Sequence, residues 1–408
     1  MTLRDYQITI SDSACECLKR HKISYLAMEV RTGKTITAFE TIRKYGAKNI
    51  LFVTKLKAIK SVESDYQEYK PWFTCTVINY DSLHKVQGSF DLVVVDEAHS
   101  LGKLGKPAKR VKDLIRFSKN VPIIYLSGTP SPESWSQLYH QFFISSYSPF
   151  ADCANFYKFA HKYVDIKKKR VHGFEINDYT HARIADIEPV IKHLFFTQTQ
   201  QDSGFTEFIS EEIVWCKMNE GQIYLINKLK KDKVYEGKSG AVVLADSSVK
   251  LQSKIHQICS GTVIDETGQF HIISDLKAQA IRDHFQGKKI AIFYKFRGEF
   301  DLLKTVFPNW TSSPEEFQSD PDNVFLGQFL SAREGTKLDR ADALIMLNID
   351  FSYLSYAQTR GRIVSKERIK DAKLYWIFSE NGLEEKIYRV VCKKKDYTNR
   401  HFKKDYPQ

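Results

Sequence analysis

The sequence predicts an α/β fold with two lobes, each built around a parallel sheet. Continuous apolar segments of strand length alternate with helical patterns in the first part of the chain, at residues 49–53, 74–78, 91–95 and 121–126. Strands that are apolar throughout are typical of a parallel sheet covered on both faces. A second series of the same kind begins near residue 272, and a strand–turn–helix pattern with Gly33, Lys34 and Thr35 at its turn opens the first.

The chain has 408 residues, enough for two or three domains with a sizeable core. We expect four segments: a first lobe at 1–147, a mainly helical insertion or protrusion at 148–210, connector helices at 211–271 and a second lobe at 272–408. The insertion is distinguished by mixed aromatic and lysine residues without strand alternation. The strands expected in the second lobe are residues 289–293, 323–326, 343–347 and 374–378.

The formal net charge of +12 indicates a polyanionic partner. Nucleic acid is the first candidate and an acidic membrane surface the second, while a generally lysine-rich surface is the alternative, because the basic residues are spread along the whole chain.

Seven cysteines without a paired framework predict buried free thiols in a reducing compartment. No apolar run has membrane-spanning length, and the N-terminus lacks the apolar core of a signal peptide, so we expect an intracellular protein.

The turn at Gly33, Lys34 and Thr35 has the context that a phosphate-binding loop needs. It follows the apolar segment 23–27 and precedes a helical pattern. Backbone N–H groups at a helix N-terminus point at anionic oxygens, the Lys34 ammonium can reach the β- and γ-phosphates, and the Thr35 hydroxyl can ligate Mg²⁺. Met28 stands where the full pattern opens with glycine, so the loop alone is an imperfect match.

Two carboxylates, Asp96 and Glu97, directly follow the apolar segment 91–95. A carboxylate at the C-terminal end of a parallel strand lies where ligands bind in such sheets. We expect Asp96 to hold Mg²⁺ through a water molecule and Glu97 to polarise the water that attacks the γ-phosphate. The alternative is a pair of solvated acids. Residues 127–130, Ser-Gly-Thr-Pro, follow the next apolar segment, where small hydroxyl side chains can sense the phosphate state.

In this order the motifs resemble those of superfamily two helicases and translocases, and most closely their Swi/Snf-type branch. The resemblance spans nearly the whole chain and includes residues 3–7, 26–35, 96–99, 127–130, 289–296, 334–338 with 341–342, 358–362 and 382–388. It implies two RecA-like lobes with an ATP and Mg²⁺ site in the cleft between them.

The resemblance also implies roles for individual residues. Gln7 looks like the adenine reader, and Arg362 is the first candidate for an arginine finger that acts across the cleft with Gln358. The alternative for Arg362 is a salt bridge on a helix. Further nucleotide-binding positions carried over from the family's motifs are Arg4, Thr32, Gly33 and Gly335.

Two departures from the family's pattern bear on catalysis. Arg31 stands where the phosphate loop of this branch usually has glycine. Ser365 stands three residues after Arg362, where a second arginine is usual. The second departure predicts slower turnover than the family's, or a protein partner that completes or regulates the site. Candidates to substitute for the missing arginine are Lys366, Arg360 and Arg368.

Nucleic-acid contacts are expected on both lobes, at Lys55, Lys57, Tyr80 and Lys295, which lie in segments resembling the family's contact motifs. They should touch phosphates rather than bases, which gives sequence-independent and salt-sensitive binding. A solvated lysine is the alternative at each position. The basic run at 167–170 is either a further clamp or a solvated charge run.

We therefore expect an ATP-dependent DNA translocase or helicase of the Swi/Snf-like type that moves along or remodels duplex DNA. The alternatives are a strand-separating repair or replication helicase, a restriction-type motor, and a DNA-binding structural or interaction protein that binds ATP without turnover. RNA stays open as a partner, and no membrane partner is expected. The expected state is a monomer in the cytoplasm, which would be the host's cytoplasm if the compact motor comes from a bacterial virus.

Overall fold

The structure is a computed structural model that describes residues 2–29, 32–171, 174–199, 201–204, 210–237, 240–329, 338, 340–352, 356 and 373–393. The chain divides into two compact units, Met1–Gly204 and Phe205–Gln408. Each unit contains a six-stranded sheet in which all adjacent strands run parallel. The α/β class with two parallel-sheet lobes is therefore confirmed.

The helices of the first unit are α1 (Asp5–His21), α2 (Lys34–Tyr45), α3 (Ile59–Tyr69), α4 (Lys109–Ser118), α5 (Leu138–Phe142), α6 (Phe156–Tyr163) and α7 (Ile184–Ile191). Its strands are β1 (Ile23–Met28), β2 (Asn49–Thr54), β3 (Thr74–Asn79), β4 (Leu92–Asp96), β5 (Ile123–Leu126), β6 (Lys167–Val171), β7 (Phe174–Asp178) and β8 (Phe195–Gln198). Short 3₁₀ helices are Leu56–Ala58, Tyr80–Lys85, Ala98–Leu101, Trp135–Gln137 and Lys192–Leu194.

The first sheet has the strand order β3-β2-β4-β5-β1-β8, and its central strands β2, β4, β5 and β1 are buried on both faces. Successive side chains of a strand point to opposite faces, and β2 shows the consequence. Leu51 and Val53 join one apolar cluster, while Ile50 and Phe52 join the other. Because β5 lies between β1 and β4, the segments that follow these three strands leave from neighbouring positions at the same edge of the sheet.

The stretch 148–204 contains strands as well as helices. β6 and β7 form an antiparallel hairpin, and β8 pairs with β1 at the edge of the first sheet. The periodicity did not predict this hairpin, because β6 carries a run of exposed lysines instead of alternating apolar residues. The predicted boundaries near residues 147, 210 and 271 stay predictions.

The second unit's sheet has the order β15-β16-β14-β17-β18-β9. Its helices are α8 (Glu220–Asp232), α9 (Ser248–Cys259), α10 (Leu276–His284), α11 (Arg297–Val306), α12 (Pro314–Ser319) and α13 (Leu383–Val391). Its strands are β9 (Ser210–Cys216), β10 (Val234–Glu236), β11 (Val242–Leu244), β12 (Thr262–Ile264), β13 (Phe270–Ile272), β14 (Ile290–Tyr294), β15 (Trp310–Thr311), β16 (Val324–Gln328), β17 (Ala343–Met346) and β18 (Lys373–Ser379). β10 with β11, and β12 with β13, form two small antiparallel ribbons.

All seven cysteines are free thiols, and five of them are buried. Across the described ranges, no helix combines the length and apolarity that crossing a membrane requires.

A buried ion pair joins α10 to α13 in the second unit. The Lys277 Nζ atom lies 2.6 Å from Glu384 Oε1, and the two side chains are 5% and 0% exposed. Lys277 Nζ also donates to the carbonyl oxygen of Leu347, 3.4 Å away and next after β17. Burying the Lys277 ammonium or the Glu384 carboxylate without the other is costly. The ion pair therefore fixes α13 to the end of the second unit's six-stranded sheet.

We expect Lys277→Met to lower the free energy of unfolding by about 3–5 kcal/mol, because it leaves the Glu384 carboxylate buried without a counter-charge. Chemical denaturation followed by tryptophan fluorescence measures the change. The matched control is Lys277→Met with Glu384→Leu, which removes both charges and should recover most of the loss. Equal destabilisation by the single and double variants would contradict a role for the ion pair.

Candidate functional site

The turn between β1 and α2 depends on a glycine at its last position. Gly33 caps α2 with φ of +83°, in the left-handed region that favours glycine. A Cβ atom added at Gly33 would lie 2.2 Å from the Gln7 Nε2 atom, well inside contact distance. Backbone conformation and the close approach of α1 therefore both require the glycine that begins the Gly-Lys-Thr sequence.

The Lys34 ammonium is held over the turn by backbone carbonyl groups. Its Nζ atom donates to the carbonyl oxygens of Met28 and Glu29, at 2.9 and 3.0 Å. The Thr32 hydroxyl also donates to the Glu29 carbonyl, at 2.8 Å. Since charge-assisted bonds to phosphate are stronger than bonds to neutral carbonyls, a phosphate group can compete for this ammonium. Thr35 follows at the start of α2 and is half-buried.

The N-terminus of α1 clamps the same turn. Gln7 is 5% exposed; its Oε1 accepts from the Arg4 backbone N–H at 2.9 Å, and its Nε2 donates to the Gly33 carbonyl at 3.4 Å. The Tyr6 hydroxyl donates to the Thr32 carbonyl at 2.8 Å, and Arg4 Nη1 donates to that hydroxyl at 2.8 Å. The structure thus brings Arg4, Gln7, Thr32 and Gly33 together and adds Tyr6, which the sequence analysis did not single out. Their role in nucleotide binding stays a prediction.

Asp96 ends β4 and is fixed by neighbours on both sides. Its Oδ2 accepts from the Thr54 hydroxyl at 2.6 Å, and its Oδ1 accepts from the Glu97 backbone N–H at 2.9 Å. Burial, together with the nearby Glu97 charge, raises the pKa of the Asp96 carboxyl to about 6. Thr54 was missed by sequence reasoning, although it directly follows the predicted strand 49–53, because the pairing of β2 with β4 is needed to place it beside Asp96.

Tyr80, predicted to contact nucleic acid, lies in the core instead. Its side chain is 2% exposed, and its hydroxyl donates to the Asp96 carbonyl oxygen. The Arg110 guanidinium lies over its ring, 5.6 Å from the centroid. A side chain this buried offers no surface to a phosphate, so in this structure Tyr80 supports the end of β4.

His99 connects the carboxylates after β4 to the segment after β5. Its Nδ1 atom is 3.2 Å from Glu97 Oε2 and 2.9 Å from the Ser127 hydroxyl oxygen, which also accepts from the Thr129 backbone N–H at 3.1 Å. Burial lowers the pKa of His99, so its imidazole is neutral at pH 7. Glu97 itself takes a left-handed backbone, with φ of +51°. A change at Glu97 can therefore reach the segment 127–130 through one buried ring.

The described side chains fit a magnesium ion of the kind that nucleotides bring with them. They contain no cluster of three or more His, Cys, Asp or Glu residues that could hold a metal by itself. Mg²⁺ commonly binds through one or two carboxylates plus substrate phosphates, which suits Asp96 with the Thr35 hydroxyl. Burial and the Glu97 charge raise the pKa of Asp96, and a divalent cation beside this carboxylate would oppose both effects.

The remaining predicted contacts have mixed surroundings. Lys55 is half-exposed and caps the 3₁₀ helix that follows β2, whereas the side chain of Lys57 lies outside the described atoms. In the second unit, Lys295 Nζ forms an ion pair with Asp350 at 2.9 Å and lies 4.3 Å from the centroid of the Phe351 ring. A phosphate contact at Lys295 would have to replace or share this ion pair.

Several predicted residues lie outside the described residues, so the structure says nothing of their positions. They are Arg31, Gly335, Gln358, Arg360, Arg362, Ser365, Lys366 and Arg368.

The sequence matches the SNF2-related domain over residues 17–263. This match covers more than half of the chain and includes the turn with Lys34, the Asp96 and Glu97 pair, and residues 127–130. The chain belongs to the SNF2-related family. The Swi/Snf-like resemblance is thereby confirmed. The family is one of superfamily two ATPases and translocases, whose members generally use ATP with Mg²⁺ and generally bind DNA. No curated protein matches this SNF2-related chain closely enough to count as a relative.

We expect Gly33→Ala to weaken ATP binding by roughly tenfold or more, an order of magnitude that corresponds to about 1–2 kcal/mol of backbone strain. The added methyl group must displace Gln7 and hold a positive φ, so both the turn and its clamp shift. Equilibrium binding of a fluorescent ATP analogue measures the effect. Gly46→Ala is the matched control, because Gly46 also has positive φ, at the end of α2, but has open space around it. Equal loss in both variants would contradict a specific role for the close approach at Gly33.

Proposed function

We propose that this SNF2-related protein is an ATP-dependent DNA translocase that hydrolyses ATP to move along or remodel duplex DNA. The observation that carries the proposal is the arrangement after β1, β5 and β4. Three neighbouring parallel strands end in the Lys34 turn, in residues 127–130 and in the Asp96 and Glu97 pair. Family membership supports the same activity.

In this proposal each residue of the first unit has one task. Lys34 exchanges its carbonyl partners for the β- and γ-phosphates, and the N-terminus of α2 adds its backbone N–H groups. Thr35 and Asp96 would hold Mg²⁺, which supplies positive charge to the phosphate oxygens. Glu97 orients the attacking water and accepts its proton, as a carboxylate in this position can. Gln7 and Arg4 keep the turn in place beside the adenine side of the site.

The link through His99 suggests how hydrolysis is reported. Hydrolysis consumes the water beside Glu97 and so changes the partners of its carboxylate. The hydrogen bond of the His99 imidazole then shifts between the Glu97 carboxylate and the Ser127 hydroxyl. Both contacts are made to the same Nδ1 atom, so strengthening one weakens the other. Residues 127–130 would then respond to the state of the γ-phosphate, which is what a motor needs to convert chemistry into movement.

The second half of the site is proposed from the resemblance. The resemblance assigns nucleotide contacts to Gly335, Gln358 and Arg362, and Arg362 would stabilise charge in the transition state as an arginine finger does. Ser365 leaves one arginine fewer than the family usually has. A lysine substitute lacks the planar fork that suits phosphate oxygens, so we expect slower turnover than in relatives with both arginines.

We expect ATP hydrolysis stimulated by DNA, which Lys34→Ala and Glu97→Gln should each lower by at least about 100-fold, because they remove the phosphate-binding cation and the general base. Glu97→Gln should retain ATP binding. A steady-state phosphate-release assay with and without DNA measures this, and Lys48→Ala, an exposed lysine ahead of β2, is the control that should behave as wild type.

If neither DNA nor RNA stimulates a confirmed ATPase, the translocase assignment is wrong. If the chain binds ATP but releases no phosphate under any condition, the DNA-binding interaction protein without turnover becomes the better explanation.

We expect ATP-driven displacement of a third strand from a triplex without separation of a plain duplex. The reason is that a translocase of this branch follows phosphates along an intact duplex. Triplex-displacement and strand-displacement assays, run side by side with the Glu97→Gln variant as control, measure the two activities. Efficient strand separation of the duplex would instead favour the repair or replication helicase.

A further inference from the structure

Half of the chain's net charge lies in one short stretch after the Asp96 and Glu97 pair. Between Lys103 and Lys119 there are seven basic residues and one acidic residue, a formal charge of +6, compared with +12 for all 408 residues. This stretch contains α4 and the loop before it. Of the seven basic residues, only Arg110 belongs to the candidate site, because its guanidinium packs on the Tyr80 ring.

The basic residues of α4 form a line along its solvent side. Lys109, Lys112, Arg116 and Lys119, the residue after the helix, follow each other at intervals of three or four, which places them on one face. All four are exposed. The opposite face is apolar and packs into the first unit's core through Val111, Leu114 and Phe117. We call these four residues, with Lys103 and Lys106 in the preceding loop, the α4 stripe.

The lysines of the α4 stripe have no counter-charges within the described part of the chain. No described carboxylate lies within 4 Å of the ammonium groups of Lys103, Lys106, Lys109, Lys112 or Lys119. Asp113 is the one acidic residue on α4, and the nearby Asp81 pairs with Arg110 at 3.2 Å. The lysines of the β6–β7 hairpin do have counter-charges, because Lys168 pairs with Glu175 and Lys169 with Asp178.

The placement of these charges does not serve the helix itself. Positive side chains in the first turn oppose the helix dipole, yet α4 begins with Lys109 and Arg110, has no acidic residue in its first turn and receives no side-chain cap from Ala108. A sequence selected for helix stability alone would place acids there. The unfavourable interaction of Lys109 and Arg110 with the helix dipole is consistent with a surface selected for an external anionic partner.

We propose that the α4 stripe binds the phosphates of duplex DNA, as a contact surface additional to the positions predicted from the family's motifs. At a rise of about 1.5 Å per residue, Lys109 to Lys119 spans about 15 Å. One strand of a duplex carries about four phosphates over that length of axis, and the part of the stripe from Lys109 to Lys119 offers four cations. The proposal rests on the proposed function only in taking duplex DNA as the partner.

The test compares two triple variants with the same change of charge. Lys109→Glu, Lys112→Glu and Lys119→Glu together reverse three charges of the stripe. Arg116 is left unchanged because it also donates to the Val86 carbonyl and so supports the fold. The control is Lys48→Glu, Lys158→Glu and Lys192→Glu, three exposed lysines of the first unit whose ammonium groups have no carboxylate within 4 Å among the described residues. Binding of the full chain to a labelled 30-base-pair duplex is measured without nucleotide, from 50 to 200 mM salt.

The stripe variant should bind the duplex at least about tenfold more weakly at 100 mM salt, and its slope of log affinity against log salt should be smaller by about three, one unit for each lost phosphate contact. The control variant should lose much less. Unchanged melting temperature and unchanged ATP hydrolysis without DNA show that the stripe variant is folded.

Equal losses in the two variants, or no loss in the stripe variant, would overturn the proposal, as would a wild-type chain that does not bind the duplex. A stripe variant that keeps its duplex affinity but loses binding to polyglutamate would assign the surface to an acidic protein instead. Because these binding measurements contain no ATP, they stand apart from the hydrolysis assay, whose failure would count against the proposed function alone.

Discussion

The candidate site depends first on the parallel pairing of β4, β5 and β1. Parallel strands end at the same edge of a sheet, so three segments that are far apart in the sequence emerge side by side. The side chains then complete what the backbone pairing begins. Thr54, from β2, fixes the Asp96 carboxylate, and His99 connects the segment after β4 to the segment after β5. If the order of these strands were different, the same residues could not form one site.

The turn before α2 illustrates how much of the site's geometry is held from outside the site. Its own sequence supplies Gly33 with the required positive φ, but its position is set by α1, through Gln7 and the Tyr6 hydroxyl. Lys34 meanwhile satisfies its donors on the turn's carbonyl groups. The ammonium is therefore stabilised before a phosphate arrives, which avoids the cost of an unpaired charge.

Sequence reasoning found the elements that one strong physical signal defines. The segments 49–53, 74–78, 91–95 and 121–126 correspond to β2, β3, β4 and β5 within about two residues, because long buried runs leave few alternatives. It missed the β6–β7 hairpin, whose residues are polar and exposed. Contacts between strands could not be predicted either, because periodicity does not reveal the strand order. The contacts of Thr54 and Tyr80 with Asp96 are examples. The α4 stripe was hidden for another reason, since counting basic residues alone makes them look evenly spread until the scarcity of acids between Lys103 and Lys119 is noticed.

The buried pair of Lys277 and Glu384 has a consequence for the order in which the chain is made. Its two members are separated by 107 residues, and domains generally fold as units, the N-terminal one first, while synthesis proceeds. The first unit needs only residues up to Gly204, so it can close early. In the second unit the Lys277 ammonium would have no carboxylate partner in its core until α13 has left the ribosome. The emerging protein should therefore spend most of the second half of its synthesis as one finished unit attached to one that is still open.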